Sequence, residues 1–339
     1  MNTEKILDYK INPIKYILHT KAILAPISGV SDIPYRLIAR KFGCKFAFTE
    51  MVDINGIFYK NLKSFNLLDR IDEDKPLGVQ LVGQDIDKFL YVAKICEDKG
   101  FKVLDINAAC PARKVVKCGK GSALLKEPKK FAKLIRTLVK NLSIPVTIKI
   151  RSAWNEKYLN YMEIVDIACS EGVKLICIHP RTKEQMYKGI PDYEIIKNIK
   201  QKISIPVFAS GNVFSIEDIN NIFNNTGCDG VYIARGGFGN PWFFKEINDF
   251  FLGKRKRYIP DFFEIKNIIK EHFDISLRFY SNNQTKSRMY KHISWYLKRF
   301  KNLHDIMQGY LKIDNNFNAF SRFIDKIELE NDKYLYIKE

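Results

Sequence analysis

Short apolar runs rich in β-branched residues alternate along the chain with longer stretches whose apolar positions recur at helical spacing. The runs at 22–25, 46–49, 77–82, 103–107, 146–150, 175–179, 207–210 and 230–234 predict strands. Helical stretches at 34–42, 57–68, 86–99, 128–142, 162–171, 193–202 and 216–225 separate them, and another at 241–251 follows the last run. Local signals support the boundaries. Pro145 and Pro206 precede strands, and Ser215 with Asp218 reads as a helix N-cap with its acid three residues on. Gly100, Gly172 and Gly227 stand where helices should end. Strand–helix alternation implies parallel strands with crossover helices, and eight such units imply closure into a (β/α)8 TIM barrel.

Beyond about residue 252 the strand pattern stops. The segment GKRKRYIPD reads as a linker, and 261–330 reads as mostly helical, with aromatics interleaved among basic residues. The expected architecture is therefore a barrel over 1–252 followed by a small all-helical C-terminal domain over 253–339, with 1–20 as a leader packed under the barrel. A chain of 339 residues suits that division.

Charge changes the picture more than composition does. The net charge is +18, and residues 250–312 hold 14 Lys and Arg against 5 Asp and Glu. Half the excess thus sits in the helical tail, which points to a polyanionic partner. The seven cysteines are odd in number and lack CxxC spacing, so neither a disulfide framework nor a zinc site is expected, and a reducing compartment is. No apolar run reaches the length of a membrane span.

In such barrels the active site lies at the C-terminal ends of the strands. Reading those ends in order gives Pro26, Ile27 and Ser28; Glu50; Gln80; Asn107 through Cys110; Lys149 and Arg151; His179 and Arg181; Ser210, Gly211 and Asn212; then Ala234, Arg235, Gly236 and Gly237. So many polar side chains at one rim are costly unless they face a ligand. The glycine-bearing turns after strands seven and eight suit a phosphate. No GxGxxG follows the first strand, so a dinucleotide site of that type is not expected. Cys110 is either a general acid or, beside a base, a thiolate nucleophile; spacing leaves both open. Lys149 either neutralises an anionic group or pairs with Asp105 or Glu50. His179 is a hydrogen-bond donor or an acid–base group. Cys44, Cys96, Cys169, Cys177 and Cys228 read as packing residues, and KCGKGSALL around Cys118 reads as a lid.

These stretches resemble the tRNA-dihydrouridine synthases. The matching segments are ILAPISGVSDIPYR, FTEMV, VQLVG, DINAACPARKVVKCGKGSALL, VTIKIR, IHPRT, IPVFASGNV and ARGGFGNPWFF, and YKHISWYL is similar to the helical domain of the bacterial B-type branch. The resemblance covers nearly the whole chain. It implies FMN as cofactor, NADPH as reductant, and reduction of uridine to 5,6-dihydrouridine in the tRNA D-loop. It implies that Pro26, Ile27 and Ser28 line the flavin, that Gln80 and Lys149 bond its ring, and that Ser210, Gly211, Asn212, Ala234 and Arg235 hold its phosphate. His179 and Asn107 complete the pocket, with Arg181 on the substrate side. Hydride then goes to C6 of the uracil, and Cys110 donates the proton to C5.

The helical domain becomes the expected tRNA clamp, with Arg288, Lys291, His292, Lys298 and Arg299 meeting phosphates. The nearby aromatics Tyr290, Trp295 and Tyr296 read as domain core. A cytoplasmic monomer without metal is expected, with ribosomal RNA as an alternative target. The sequence departs from the family pattern at Ala109, where glycine is usual, and at Ser210, Asn212 and Ala234. A flavin barrel acting on a free pyrimidine, as in dihydroorotate oxidation, and a non-catalytic RNA-binding barrel are the rival readings.

Overall fold

The computed structural model describes residues 10, 12–254, 257–298, 300 and 302–328. Eight parallel strands close in sequence order: β1 (Ala22–Leu24), β2 (Ala47–Asp53), β3 (Leu77–Val82), β4 (Leu104–Ala108), β5 (Val146–Arg151), β6 (Ile176–His179), β7 (Val207–Ser210) and β8 (Gly230–Ile233), with β8 pairing back onto β1. The (β/α)8 barrel expected from the hydrophobic pattern is present.

The chain divides into two compact units. One contains the residues up to Asp32 and Cys44–Arg235; the other contains Ile33–Gly43 and everything from Gly236 onward. The helices Ile33–Lys41 and Phe243–Phe251, which the strand–helix alternation assigns to the barrel, therefore group with the helical tail.

Alternation along the strands builds the barrel interior. Leu104, Ile106 and Ala108 of β4 alternate with Asp105 and Asn107; Ile148 and Ile150 of β5 alternate with Thr147, Lys149 and Arg151. The apolar floor consists of Ile23, Phe46, Phe48, Val103, Leu175, Cys177, Phe208 and Tyr232. The leader helix Pro13–Thr20 supplies Ile17 to this cluster, with Ile14 and Leu18 packed against it. Water is thus kept from the end of the barrel opposite the strands' C-terminal ends.

The structure departs from the pattern in two places. Strand two continues to Asp53 through a register shift between Phe48 and Met51, a bulge that redirects Glu50 to accept a hydrogen bond from the Gly29 N–H. The single helix expected over 57–68 is three short pieces: Ile54–Phe58, Leu62–Phe65 and a 3-10 turn, Asn66–Leu68. Lys60 takes a left-handed φ of 56°, which ends the first piece, and the Asn61 side chain accepts from Ser64 N at 3.2 Å to start the second. Elsewhere the caps are as expected. Ser215 and Asp218 form a capping box, and Gly100, Gly172 and Gly227 all have positive φ.

In the helical unit, the helices Phe262–Phe279, Asn282–Tyr296, Leu303–Lys312 and Phe317–Asp325 enclose a core that includes Phe273, Met289, Ile293, Tyr310 and Phe320. Ile38 and Trp242 belong to the same core. Gly239 has a φ of 63°, and a Cβ there would lie 2.2 Å from the Trp295 backbone, so only glycine lets the two segments approach.

Candidate active site

The pairing register sets Gln80 beside Asp105 and Asp105 beside Thr147, which makes one buried polar row across β3, β4 and β5. Toward the strand ends, Asn107 lies beside Lys149 and Arg151 beside His179. The Thr147 hydroxyl donates to Asp105 Oδ1 at 2.6 Å, and Gln80 Nε2 donates to Asp105 Oδ2 at 2.6 Å. Asn107 Nδ2 donates to Gln80 Oε1 at 2.7 Å. Asn107 Oδ1 in turn accepts from the Ala109 and Cys110 N–H groups at 3.1 and 2.9 Å.

The carbonyls of this loop are held as firmly. Ser122 donates to the Cys110 carbonyl from both its N–H, at 3.0 Å, and its hydroxyl, at 2.9 Å. Arg151 Nε donates to the Ala109 carbonyl at 2.8 Å, and its Nη1 to the carbonyls of Thr182 and Met186, each at 2.8 Å. Ala109 keeps an ordinary backbone φ and its methyl is buried, so alanine is accommodated where the family usually has glycine. The segment read as a lid is pinned from Lys120 onward: Lys120 pairs with Asp53 at 2.7 Å, and Gly121–Lys126 is a largely buried 3-10 turn.

Electrostatics bear on the roles left open by sequence. Burial pushes the Cys110 thiol above its usual value, against the Ala112 N–H and the charges of Arg151 and Lys149. The thiol is therefore protonated at neutral pH, in the state a general acid needs. His179 goes the other way. Burial, with Lys149, Arg151, Arg181 and Arg235 nearby, holds the imidazole far below its ordinary range. Its Nε2 lies 3.1 Å from an Arg181 Nη1 donor, which makes Nε2 an acceptor and the ring a neutral Nδ1–H tautomer. Two of the neighbouring arginines sit against one aromatic: the guanidinium carbons of Arg151 and Arg235 lie 5.5 and 5.3 Å from the Tyr187 ring centroid.

Lys149 is nine-tenths buried and makes no ion pair or side-chain hydrogen bond among the described residues. The pairing with Asp105 or Glu50 entertained from sequence does not form: Asp105 bonds Thr147 and Gln80, and Glu50 bonds Gly29. Burying an unpaired ammonium costs several kcal/mol, a cost an anionic ligand offsets. The turn after β7 supplies a second anion feature. Gly211 and Asn212 have successive positive φ values, 106° and 49°, and a Cβ on Gly211 would meet the His179 ring at 2.8 Å. The residues present therefore fit a bound anionic, phosphate-bearing ring system.

The remaining expected site residues fall as follows. Pro26 and Ile27 are half-buried and Ser28 exposed in the turn after β1, where the Ser31 hydroxyl accepts from Ile27 N at 2.8 Å. Ser210 ends β7, and Ala234 and Arg235 follow β8. The Asn212 Oδ1 accepts from Arg181 at 3.1 Å and Arg235 at 3.4 Å. Gln80 is fully buried, with its amide directed at Asp105 and Asn107.

Two expected RNA contacts need correction. Arg181 is 1% exposed, and its guanidinium is taken up by the carbonyls of Lys188 and Gly189, by Asn212 and by His179. It braces the loop after β6 rather than reaching outward. His292 is 2% exposed in the helical core, stacked on Tyr35 at 5.4 Å and 4.6 Å from His272, so it cannot meet a phosphate. Lys298 is exposed, Lys291 half-buried, and Arg288 lies 4.1 Å over the Tyr280 ring. Arg299 lies outside the described residues. Of the aromatics, Tyr296 is core, Trp295 stacks on Phe238 at 4.2 Å, and Tyr290 is 40% exposed. Sequence reading placed Arg151 on the rim without a role and missed Ser122. Both act on carbonyls that only folding brings near, so no local signal marks them.

Comparison with known proteins agrees with this geometry. The sequence pattern of the family described as dihydrouridine synthase (Dus) matches residues 23–319. The tRNA-dihydrouridine synthase B of Pseudomonas putida is 34% identical over 285 residues, covering 84% of each chain. That of Vibrio vulnificus is 33% identical, covering 88% of this chain and 93% of its own. Among solved structures, histamine dehydrogenase from Rhizobium sp. 4-9 shares the fold, with a TM-score of 0.53 at 12% identity, over 75% of this chain and 48% of that one. A match over most of the length establishes that this chain belongs to the dihydrouridine synthase family.

Proposed function

We propose that the protein reduces uridine to 5,6-dihydrouridine in tRNA, with FMN as cofactor and NADPH as reductant. The observation that supports this reading is a buried Lys149, without an ion pair among the described residues, at the same end of the barrel as the Cys110 thiol on its braced loop. A flavin bound there would supply the hydride for C6 of the uracil.

The protein's own groups do the rest. Lys149 would balance negative charge on the ring system, while the Gly211–Asn212 turn and Arg235 would hold the phosphate. Pro26, Ile27 and Ser28 line the cofactor from β1. Cys110 Sγ gives its proton to C5 and is reprotonated from solvent. His179, neutral with Nδ1–H outward from its Arg181 contact, is a hydrogen-bond donor and not the acid. The helical unit carries Arg288, Lys291 and Lys298 toward the phosphate backbone, and a uracil extruded from the stack enters the rim, at an unstacking cost of a few kcal/mol. The setting is the cytoplasm, with the enzyme acting as a single chain.

The test is to purify the protein, record its visible spectrum, and assay unmodified tRNA with NADPH by nucleoside mass spectrometry. A yellow protein that forms dihydrouridine in tRNA is expected. Oxidation of dihydroorotate without a response to tRNA would replace this reading with the free-pyrimidine one, and a colourless protein that takes up no FMN would remove the catalytic reading altogether.

A further inference from the structure

The chain of hydrogen bonds behind Cys110 has a direction, and one side chain fixes it at the buried end. An ionised carboxylate only accepts. Asp105 takes the Thr147 hydroxyl on one oxygen and Gln80 Nε2 on the other, both at 2.6 Å. Gln80 must then turn its carbonyl away from Asp105, where it accepts Asn107 Nδ2 at 2.7 Å. That leaves Asn107 Oδ1 facing the loop, where it takes the N–H groups of Ala109 and Cys110. Reversing either amide would oppose donor to donor and acceptor to acceptor in a region where Gln80, Asp105 and Thr147 are all fully buried. Burial makes such a mismatch costly.

We propose that Asp105 is a positioning residue for this site: through the amides of Gln80 and Asn107 it orients the loop that carries Cys110. Asp105 is fully buried, and its two carboxylate oxygens are taken up by Thr147 and Gln80. Its carboxylate is the one group in the row whose donor–acceptor character cannot be reversed by an amide flip or a hydroxyl rotation. Burial raises Asp105 to about 6, opposed by Thr147, Gln80 and Lys149, so it is ionised at neutral pH, in the acceptor-only state the relay needs. This inference rests on the reading of Cys110 as proton donor only for its consequence in turnover; the relay itself is tested without RNA.

Asp105→Asn keeps the size and shape of aspartate, and Asp105→Leu keeps its branching at Cγ but replaces both oxygens with larger methyl groups. Asparagine keeps an acceptor for Gln80 Nε2 and turns its amide N–H to the Thr147 oxygen, so the relay survives. Leucine removes the acceptor and frees the Gln80 amide to flip. Amide hydrogen exchange on the holoenzyme is expected to be about tenfold faster at Ala109 and Cys110 in Asp105→Leu, the protection of roughly one hydrogen bond, and near wild type in Asp105→Asn. Iodoacetamide alkylation of Cys110 should accelerate in the same order, and kcat on tRNA should fall about tenfold in the leucine variant at unchanged KM.

If Asp105→Leu does not fold, Gln80→Met breaks the relay one link closer to the loop and must produce the same exchange signature. Wild-type exchange at both amides in a folded leucine or methionine variant overturns the inference. Loss of protection in Asp105→Asn equal to that in Asp105→Leu also overturns it, since asparagine keeps the acceptor for Gln80 Nε2. A wild-type protein that forms no dihydrouridine would instead sink the proposed function, while the exchange result still decides the relay.

Discussion

Cys110 is one of seven cysteines, and its environment separates it from the others. Cys96 is fully buried with its thiol pushed up to about 12, and Cys177 is fully buried in β6 beside Lys149. Cys110 is half-buried at the rim, with its backbone held at both N–H and carbonyl. Burial without an adjacent base keeps it a thiol, and a neutral His179 cannot act as its base through the Nε2 already engaged by Arg181. Cys110→Ala is therefore expected to retain bound flavin and its reduction by NADPH, and to lose tRNA turnover by about a hundredfold or more, the usual size of a proton-transfer contribution. Stopped-flow reduction measured beside dihydrouridine formation checks this. Turnover at the wild-type rate would remove the acid role.

At the scale of elements, caps and strand alternation were legible in the sequence because they are set by near neighbours. The Ser215–Asp218 box and the positive φ at Gly100, Gly172 and Gly227 need only three or four adjacent residues. The broken helix over 57–68 was not legible, since its apolar spacing suited one helix and the break depends on Lys60 adopting a left-handed φ. His292 was misread because a histidine among lysines and arginines resembles a surface residue, yet its helix turns it inward onto His272 and Tyr35.

That histidine pair has a pH consequence. Burial, with Lys291 nearby, lowers His272 from 6.5 to about 3. His292 is lowered by burial and by His272, Lys291 and Arg288. The folded values lie below the unfolded one, so the unfolded chain binds these protons first as pH falls. Stability of the helical unit is full above about pH 6.5 and drains away toward pH 3, by about 2 kcal/mol at pH 5 for His272. The measurement is the difference in Tm between pH 7.5 and pH 5 for wild type and His272→Leu. An acid sensitivity as large in the variant as in the wild type would contradict it.

On the scale of the whole molecule, the charge of +18 and its concentration in 250–312 set how the protein meets a polyanion. Phosphate contacts release counterions, so tRNA affinity should fall steeply and linearly on a log–log plot against salt. Lys298→Ala is expected to weaken binding several-fold and to reduce the salt slope by about one, measured by filter binding across a salt series. An unchanged slope would take Lys298 out of the interface.

Barrel class and the candidacy of Cys110 at a strand end followed from the chain read as a string, because two-residue and 3.6-residue periodicities are local and a (β/α)8 barrel places its strand ends by rule. The protonation state of Cys110, the neutrality of His179, the unpaired Lys149 and the inward turn of Arg181 and His292 waited on the tertiary structure. Each depends on burial and on charges brought together from strands or helices far apart in sequence. Desolvation and Coulomb interaction act through space, and no spacing of letters encodes them.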